Sequence, residues 1–414
     1  MSRKIARALR SIESSGVVHF PQYFGFAGFA LAPFQASLAD LLLPTGWSFI
    51  FPKPKTQEIT MIEIALFGAG RIGKIHAANL VRQPGVRLKY VVDMHLPTAQ
   101  ALARIHGATV VDVDAALGDP ALGAVVIASS TNTHADLIIK AANAGKAVFC
   151  EKPVDLTVER SRESAEAVAR NGVTCMIGFQ RRFDPTFAVL KARIERGEIG
   201  DPEMLIITSR DPGAPPVEYI KSSGGIFKDM LIHDLDVFRW ILGDDAQTLH
   251  ATGSCLTDPA VLAAGDIDST AVTIRTQRGL LCQINTSRRA AYGYDQRFEV
   301  LGSKGMLQAG NVRPTEVTAY SASAVSIDVP EPFFLERYRQ AYAAEMAHFV
   351  EALTKGTPVR TTIEDGVKAL ELAELATFSW HQGRRLEAAS DGKPQACSEE
   401  MLPTRTDTQS YVSS

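Results

Sequence analysis

Short apolar runs alternate with amphipathic segments in the first half of the chain. The apolar runs are residues 62–67, 88–93, 108–111, 124–130, 146–153 and 173–179. The segments between them have the apolar spacing of helices about a dozen residues long, as in 157–172. Strands and helices that alternate in this way are typical of a parallel sheet, whose strands are apolar throughout because both faces are covered. The pattern therefore predicts a doubly wound α/β Rossmann domain over residues 61–180.

The pattern changes after residue 180. Helical spacing is found at 185–200, 227–242, 337–356 and 364–383. Between residues 246 and 320, several β-rich runs are separated by turn-like pairs, which favours an antiparallel sheet. We therefore expect an α+β domain with a mostly antiparallel open sheet over residues 181–388, serving substrate binding and oligomerisation. The tail at 389–414 is polar and is expected to be disordered.

The first 60 residues fit neither pattern. Residues 1–16 are basic and amphipathic, and residues 25–52 are apolar and aromatic but broken by prolines. A targeting sequence and a poorly ordered extension upstream of Met61 are both compatible with this composition. We favour the extension, because Met61 immediately precedes the first predicted strand.

Composition narrows the class of protein. Of the 414 residues, 46% are hydrophobic and 21% are charged, as in ordinary globular proteins. The 43 basic and 46 acidic residues nearly balance, which gives no support to a nucleic-acid partner. After residue 60 no uncharged apolar run is long enough to span a membrane. The five cysteines are an odd number without a C-x-x-C motif, which favours reduced thiols and a cytoplasmic protein.

A glycine-rich loop follows the first predicted strand and opens the first predicted helix. It reads G-x-G-x-x-G at Gly68, Gly70 and Gly73, with Arg71 and Ile72 inside the predicted cofactor site. In this context the first glycine permits a tight turn, the second lets a pyrophosphate approach the backbone, and the third lets helix and strand pack closely. The free N–H groups of the helix N-terminus suit the phosphates. The loop therefore predicts a dinucleotide site.

An aspartate lies where such a site needs a carboxylate. Asp93 ends the second predicted strand, 20 residues after Gly73, and is expected to bind the adenosine ribose hydroxyls. Met94 and His95 follow, and neither is an arginine that would accommodate a 2′-phosphate. NAD is therefore favoured over NADP.

Polar residues follow the fourth predicted strand, at the edge of the sheet where ligands bind. Ser130, Thr131, Thr133 and His134 are expected to contact the cofactor. Thr133 fits equally well as the N-cap of the next helix.

The fifth predicted strand ends in Glu151, Lys152 and Pro153. This position places Glu151 and Lys152 in the crevice where a nicotinamide ring would lie. A solvated loop lysine is the alternative interpretation.

The helical segment 227–242 is mostly apolar but carries Asp229 and His233 four residues apart. Side chains at this spacing share one helix face. A histidine in this setting is either a core residue or part of an active site. Asp234 and Asp236 point to other sides of the helix than His233, so no metal site is predicted.

Taken together, these motifs resemble the family of glucose–fructose oxidoreductase, inositol dehydrogenase and the rhizopine-catabolism proteins. The resemblance rests on the glycine loop, T-x-T-H after the fourth strand, E-K-P after the fifth, and G-G-x-x-x-D-x-x-x-H-D-x-D, and it covers residues 61–388. It implies that Lys152, Asp229 and His233 meet at a substrate hydroxyl. In the implied roles His233 is the base, Asp229 is its partner and Lys152 orients the hydroxyl.

Two further segments, 178–191 and 291–305, are similar to the inositol dehydrogenases of that family. The similarity implies that Gln180, Arg181, Asp211, Tyr292 and Tyr294 lie near a polyol. Asp211 replaces the asparagine expected before proline, which leaves its contact open. Tyr292 and Tyr294 are expected on one face of a strand, where one of them has the alternative of packing in an oligomer interface.

The resemblance thus implies NAD-dependent oxidation of an inositol hydroxyl, with myo-inositol favoured, as part of inositol catabolism. It also implies a homo-oligomer, since relatives are often tetramers. A scyllo-inositol or other sugar dehydrogenase, and an NAD-binding regulator without catalysis, are the alternatives.

Overall fold

The computed structural model describes residues 61–388 and 394–396. Its first sheet has six parallel strands: β1 (Ile62–Phe67), β2 (Val86–Val92), β3 (Thr109–Val110), β4 (Leu122–Ile127), β5 (Ala147–Glu151) and β6 (Cys175–Gly178). Their order is β3-β2-β1-β4-β5-β6. The order reverses between β1 and β4, so the carboxyl ends of these two strands frame a crevice of the kind that binds ligands in doubly wound sheets.

Five helices connect these strands and cover the sheet. They are α1 (Arg71–Leu80), α2 (Leu96–His106), α3 (Val113–Gly118), α4 (His134–Asn143) and α5 (Val158–Asn171). The side chains of β1 show why the strands are continuously apolar. Ile64 and Leu66 pack into one hydrophobic cluster, whereas Ala65 and Phe67 pack into another. Both faces of the strand are therefore buried, as predicted for a parallel sheet.

The second sheet is mixed and mostly antiparallel, as predicted. Its strands are β7 (Pro202–Arg210), β8 (Ala246–Ser254), β9 (Ser269–Thr276), β10 (Leu281–Ser287), β11 (Asp295–Gly302), β12 (Gly305–Ala309), β15 (Leu386–Ala388) and β16 (Pro394–Ala396). They run in the order β12-β11-β7-β10-β9-β8-β15-β16, with β7 and β10 parallel and the other neighbours antiparallel. A separate hairpin comprises β13 (Thr318–Tyr320) and β14 (Val325–Ile327).

The helices of the second half pack against this sheet or against the first domain. They are α6 (Pro185–Glu195), α7 (Val217–Ser223), α8 (Ile232–Leu242), α9 (Pro259–Ala263), α10 (Phe334–Arg337), α11 (Arg339–Lys355) and α12 (Ile363–Gln382). A π-helical turn, Phe227–Leu231, precedes α8 directly. In the described part of the chain no helix is long and apolar enough to cross a membrane.

The differences from the sequence prediction fall in short elements. Predicted and observed bounds of the longer elements agree within five residues, but α3, α7, α9, α10, β14, β15 and β16 were not predicted. Strand β16 lies inside the tail that was expected to be disordered, where it pairs with β15. The predicted extension 1–60 and the rest of the tail lie outside the described residues, and the division at residue 180 stays a prediction.

A buried ion pair joins the two halves near residue 180. The 3₁₀ turn Gln180–Phe183 follows β6, and Arg182 from this turn donates to both carboxylate oxygens of Asp236 in α8, at 2.9 and 2.5 Å. Arg182 also donates to the backbone carbonyl of Arg360 at 3.1 Å. Arg182 also donates to Asp365 Oδ1 at 3.0 Å, but Asp365 is partly exposed, whereas Asp236 is almost fully buried, so removal of Asp236 leaves the guanidinium with a single, partly exposed counter-ion.

We expect Asp236→Asn to lower the free energy of unfolding by about 2 kcal/mol, because the Arg182 guanidinium loses its fully buried counter-ion and keeps only the partly exposed Asp365. Urea denaturation followed by circular dichroism measures this change. Glu351→Gln, which breaks the exposed Glu351–Lys355 pair, is the matched control and should leave the midpoint unchanged. Equal stability of Asp236→Asn and the wild type would contradict a structural role for the pair.

Candidate active site

The glycine loop is shaped by close backbone packing at two of its three glycines. Gly68 has φ +99°, and a Cβ there would lie 2.4 Å from the carbonyl oxygen of Ala128. A Cβ on Gly73 would lie 1.9 Å from the carbonyl oxygen of Gly68. In contrast, a Cβ on Gly70 would have no neighbour within 4 Å. The loop therefore packs tightly on β4 and α1 and leaves an open face at Gly70, where a pyrophosphate would fit the backbone.

Asp93 connects the end of β2 to this loop. Its Oδ2 accepts a hydrogen bond from the backbone N–H of Ala69 at 2.6 Å, and its Oδ1 accepts one from His95 N–H at 2.8 Å. Each carboxylate oxygen keeps acceptor capacity for a ribose hydroxyl. The neighbouring Met94 is fully exposed and carries no charge for a 2′-phosphate. These features fit NAD, with Gly70 and Asp93 as the residues that would hold it.

The residues after β4 divide into exposed and structural groups. Ser130 is exposed and Thr131 is half-buried, so both are accessible to a cofactor. Thr133 donates to the carbonyl of Ser130 at 2.7 Å and lies 2.7 Å from the hydroxyl of Ser129. Thr133 occupies the N-cap position of α4, as the alternative interpretation held, but its side chain makes no capping hydrogen bond to the helix.

His134, predicted to contact the cofactor, is instead buried between two backbone segments. Its Nδ1 lies 2.8 Å from the carbonyl oxygen of Pro153, and its Nε2 lies 3.1 Å from that of Ser129. Burial lowers the pKa of the imidazole, and the neutral ring has one N–H, which donates to one of these two carbonyls. His134 therefore ties the end of β4 to the turn after β5, and this turn carries Lys152.

Glu151 has a similar supporting contact. Its Oε1 lies 2.7 Å from Nε2 of the buried His76 in α1. A Cβ on Gly178 would come within 3.1 Å of the Glu151 carboxylate, so the glycine makes room for it. The contact with His76 fixes the end of β5 against the first cofactor-binding helix.

Lys152 and Asp229 form the centre of the site. Lys152 Nζ donates to the backbone carbonyl of Asp229 at 2.7 Å and lies 3.3 Å from its Oδ1. The sequence predicted a continuous α-helix here, but Asp229 belongs to the π turn Phe227–Leu231. Such turns are frequent at functional sites. The lysine still has a third N–H that can donate to a ligand.

Two residues that the sequence analysis missed also face Asp229. The Tyr219 hydroxyl donates to Oδ1 at 2.9 Å. Arg288, which is only 1% exposed, places Nη1 3.5 Å from Oδ2. Tyr219 carries no motif signal, and Arg288 was hidden among several basic residues after β10. The carboxylate is therefore surrounded by three donors, and it makes no hydrogen bond to His233, whose Nδ1 is without a partner among the described residues.

His233 begins α8 next to this cluster. Its Nδ1 is buried and has no hydrogen-bond partner among the described residues, and its ring centroid lies 6.2 Å from that of Phe179. Burial, followed by the positive charges of Lys152 and Arg181, holds the pKa of His233 well below 6.5. The imidazole is therefore neutral at physiological pH and can accept a proton.

Gln180 and Arg181, predicted to contact a polyol, are both buried. The Arg181 guanidinium forms an ion pair with Asp234 and donates to the Ser209 hydroxyl at 3.2 Å. Its charge acts on His233 from within the protein. Arg181 was expected to contact a polyol directly. In the structure its guanidinium is paired with the buried Asp234, so the residue supports the site from within the protein.

The negative charge of Asp229 acts on the carboxyl group of Asp211. Burial and the charge of Asp229 raise the pKa of Asp211 to about 7, although Arg288 and Arg181 oppose this shift. Near neutral pH the carboxyl group is therefore partly protonated. In that form it offers one donor and one acceptor, as the expected asparagine would.

Tyr292 and Tyr294 do not share a strand face. They lie in the turn before β11, and Gly293 between them has φ +119° with its backbone against the carbonyl of Pro330. Tyr294 is 5% exposed and packs against Tyr338, whereas Tyr292 is 43% exposed. The period-two prediction was wrong because the positive φ rotates the chain between the two residues.

The Tyr292 hydroxyl donates to Asp295 at 2.6 Å and accepts from Arg210 at 3.0 Å.

Within residues 61–388, no cluster of His, Cys, Asp and Glu side chains is arranged to hold a metal ion. The site combines a lysine, a carboxylate and a neutral imidazole.

Two family models match the chain. The oxidoreductase family, NAD-binding Rossmann fold, matches residues 62–179. The oxidoreductase family, C-terminal alpha/beta domain, matches residues 191–388. The chain belongs to the glucose–fructose oxidoreductase, inositol dehydrogenase and rhizopine-catabolism family. It is accordingly an NAD-dependent dehydrogenase acting on a CH–OH group.

Several members of this family are similar to this chain over nearly their own full length. Inositol 2-dehydrogenase of Rhizobium meliloti is 44% identical over 79% of this chain and 99% of its own. The scyllo-inositol 2-dehydrogenase (NAD(+)) of Bacillus subtilis is 41% identical over 78% and 95%. The crystal structure of a myo-inositol dehydrogenase from Corynebacterium glutamicum matches with a TM-score of 0.76, 43% identity, and coverage of 80% and 99%.

Two alanine substitutions in the glycine loop should have different effects. We expect Gly73→Ala to lower the melting temperature strongly, because its Cβ would clash with backbone that cannot move aside. Gly70→Ala should keep the wild-type melting temperature but weaken NAD binding at least tenfold, since the methyl group occupies the face that the pyrophosphate needs. Thermal unfolding and titration with NAD measure the two effects. Unchanged NAD affinity in Gly70→Ala would contradict the proposed cofactor position.

Proposed function

We propose that this protein is an NAD-dependent inositol 2-dehydrogenase that oxidises myo-inositol at its axial carbon to 2-keto-myo-inositol, also called scyllo-inosose. The proposal rests on the three side chains that are grouped in the crevice. Lys152 with an uncommitted N–H, the Asp229 carboxylate and the neutral imidazole of His233 meet beside the dinucleotide loop. The high identity to named inositol dehydrogenases over the same residues supports the substrate class.

The proposed mechanism assigns one task to each side chain. His233 accepts the proton of the substrate hydroxyl, and its Nε2 is the nitrogen available for this because Nδ1 is buried. The third N–H of Lys152 donates to the same oxygen as negative charge develops on it. NAD supplies the acceptor for the hydride that leaves the carbon. The chain supplies orientation, a base and a fixed positive charge.

Asp229 binds the polyol in this proposal instead of orienting His233. Its Oδ1 already accepts from Tyr219 and lies close to Lys152, whereas Oδ2 has only the longer contact to Arg288. Oδ2 can therefore accept a hydrogen bond from a hydroxyl next to the reacting carbon. A deoxy analogue would leave this buried oxygen without that donor and would be rejected.

The function is tested by following NADH absorbance at 340 nm with myo-inositol, scyllo-inositol, D-chiro-inositol and glucose, each with NAD and with NADP. Rapid NADH formation with myo-inositol is the expected result. A clear preference for scyllo-inositol would reassign the stereoisomer within the same class, in line with the Bacillus subtilis relative. Absence of turnover on every polyol, with NAD binding intact, would overturn the proposal and favour a regulatory NAD-binding protein.

We also propose that the protein is a homotetramer assembled through its second sheet and hairpin. Leu281, Leu301 and Met306 are large apolar side chains exposed on β10, β11 and β12. In the hairpin, Tyr320 and Val325 are also exposed, although two-stranded hairpins are rarely stable without packing partners. Light scattering during gel filtration measures the assembly, and a monomer at micromolar concentration would contradict it.

The low pKa of His233 gives a pH prediction. A base acts in its neutral form, so kcat/KM is retained above its pKa and falls as pH drops below it. Because burial and nearby cations lower this pKa well below 6.5, we expect the activity to persist at pH 6 and to fall only in more acidic solution. His233→Ala should lose at least 100-fold in kcat at all pH values with an unchanged Kd for NAD.

The titration of Asp211 must be distinguished from that of His233 in this experiment. The pKa of Asp211, about 7, gives an inflection of its own in the pH profile. Asp211→Asn removes that inflection while preserving a donor and an acceptor. The acidic limb of kcat/KM should persist in this variant. An acidic limb centred at or above pH 6.5 in Asp211→Asn would contradict the role of His233.

A further inference from the structure

A short surface helix contributes a side chain to the active site. Helix α7 presents Tyr219, which is 48% exposed, yet its hydroxyl donates to Asp229 Oδ1 at 2.9 Å. The same oxygen lies 3.3 Å from Lys152 Nζ. A residue outside the sequence motifs of the site therefore shares one carboxylate oxygen with Lys152.

The tyrosine acts as a permanent donor in this contact. Burial of its hydroxyl, together with the charge of Asp229 and the hydrogen bond to it, raises the pKa of Tyr219 above its ordinary value. The phenol therefore stays protonated throughout the range in which the enzyme would work. Because a carboxylate only accepts hydrogen bonds, the direction of this bond is fixed.

This bond restricts the carboxylate of Asp229. The terminal torsion of an aspartate is broad, so the two oxygens exchange places easily unless neighbours hold them. With Tyr219 and Lys152 both directed at Oδ1, Oδ2 is turned to the side where Arg288 lies 3.5 Å away. Oδ2 is then the oxygen presented to a polyol hydroxyl, in a fixed relation to the lysine.

The helix that carries Tyr219 is itself held in place. It is followed by Gly224 and Gly225, which have φ +83° and +76°. A Cβ on Gly225 would lie 2.9 Å from Asp266 Oδ1, and the same oxygen accepts from the N–H of Ile226 at 3.1 Å. On α7, Ile220 is buried. The tyrosine is thus held by a buried residue of its own helix and by the glycine turn that leads into the π turn containing Asp229.

We propose that Tyr219 is a positioning residue of the dehydrogenase: by holding Oδ1 of Asp229 together with Lys152, it aligns Oδ2 and the lysine ammonium with the polyol. This inference rests on the proposed function. The alignment matters most when charge develops on the substrate oxygen, so its loss slows the chemical step itself.

The test is Tyr219→Phe, which removes only the hydroxyl and keeps the half-exposed ring. We expect kcat and kcat/KM for inositol to fall about 10- to 100-fold, as for loss of a hydrogen bond to a charged group. The primary isotope effect on kcat, measured with inositol deuterated at the carbon that is oxidised, should increase because chemistry becomes slower than product release. The Kd for NAD and the melting temperature should stay at the wild-type values.

Tyr90→Phe is the matched control. Tyr90 is also partly buried, and its hydroxyl donates to a carboxylate, Asp119 Oδ2, at 3.0 Å, but on β2. It therefore loses the same kind of bond far from Asp229 in the chain and outside the active-site residues. Its kcat, isotope effect and NAD affinity should equal those of the wild type.

A Tyr219→Phe enzyme with kcat within twofold of the wild type would overturn the inference, even if KM increased, because a positioning role requires a slower chemical step. The wild-type arm of the same assay tests the proposed function separately. If the wild type neither oxidises an inositol nor binds one in calorimetric titration of the NADH-loaded protein, the proposed function and this inference fall together. An active wild type with an unaffected Tyr219→Phe enzyme overturns the inference alone.

Discussion

The contact between Lys152 and Asp229 is the interaction on which the site depends, because it joins the end of β5 to the π turn before α8. The two residues are 77 positions apart and belong to segments on opposite sides of the 3₁₀ turn after β6. The lysine binds both the backbone carbonyl and the carboxylate of Asp229. One ammonium group therefore holds the end of β5, at the cofactor crevice, against the π turn whose Asp229 is proposed to bind the substrate.

The charges around this contact, together with burial, keep the imidazole of His233 neutral. Lys152 and Arg288 face Asp229, and Arg181 is paired with Asp234. His233 lies beside these cations without a carboxylate partner, which, together with burial, lowers its pKa. A partner such as Asp229 would instead have favoured the imidazolium form. The structure thus separates the carboxylate from the base, whereas the spacing of the two residues on one helix had suggested a pair.

Local signals predicted the fold and part of the site. The alternation of strands and helices and the close packing of Gly73 on Gly68 depend on residues close in sequence, and the structure has them as expected. The partners of His134 and Arg181 depend instead on side chains and carbonyls 19 and 53 residues away. Such contacts leave no periodic trace in one sequence. Tyr219 was missed for the same reason, since a single tyrosine on a seven-residue helix has no pattern.

Asp211 shows how far the surroundings determine what a residue type can do. The family resemblance called for an asparagine, and an ionised aspartate would lack its donor. In the folded chain, burial and the neighbouring Asp229 raise the pKa of Asp211 to about 7, which restores a donor in part of the molecules. Like the amide, the protonated acid offers both a donor and an acceptor, although it has one donor where the amide has two. The consequence of the substitution is a dependence on pH that an asparagine would not have, and this dependence follows from the fold and not from the residue alone.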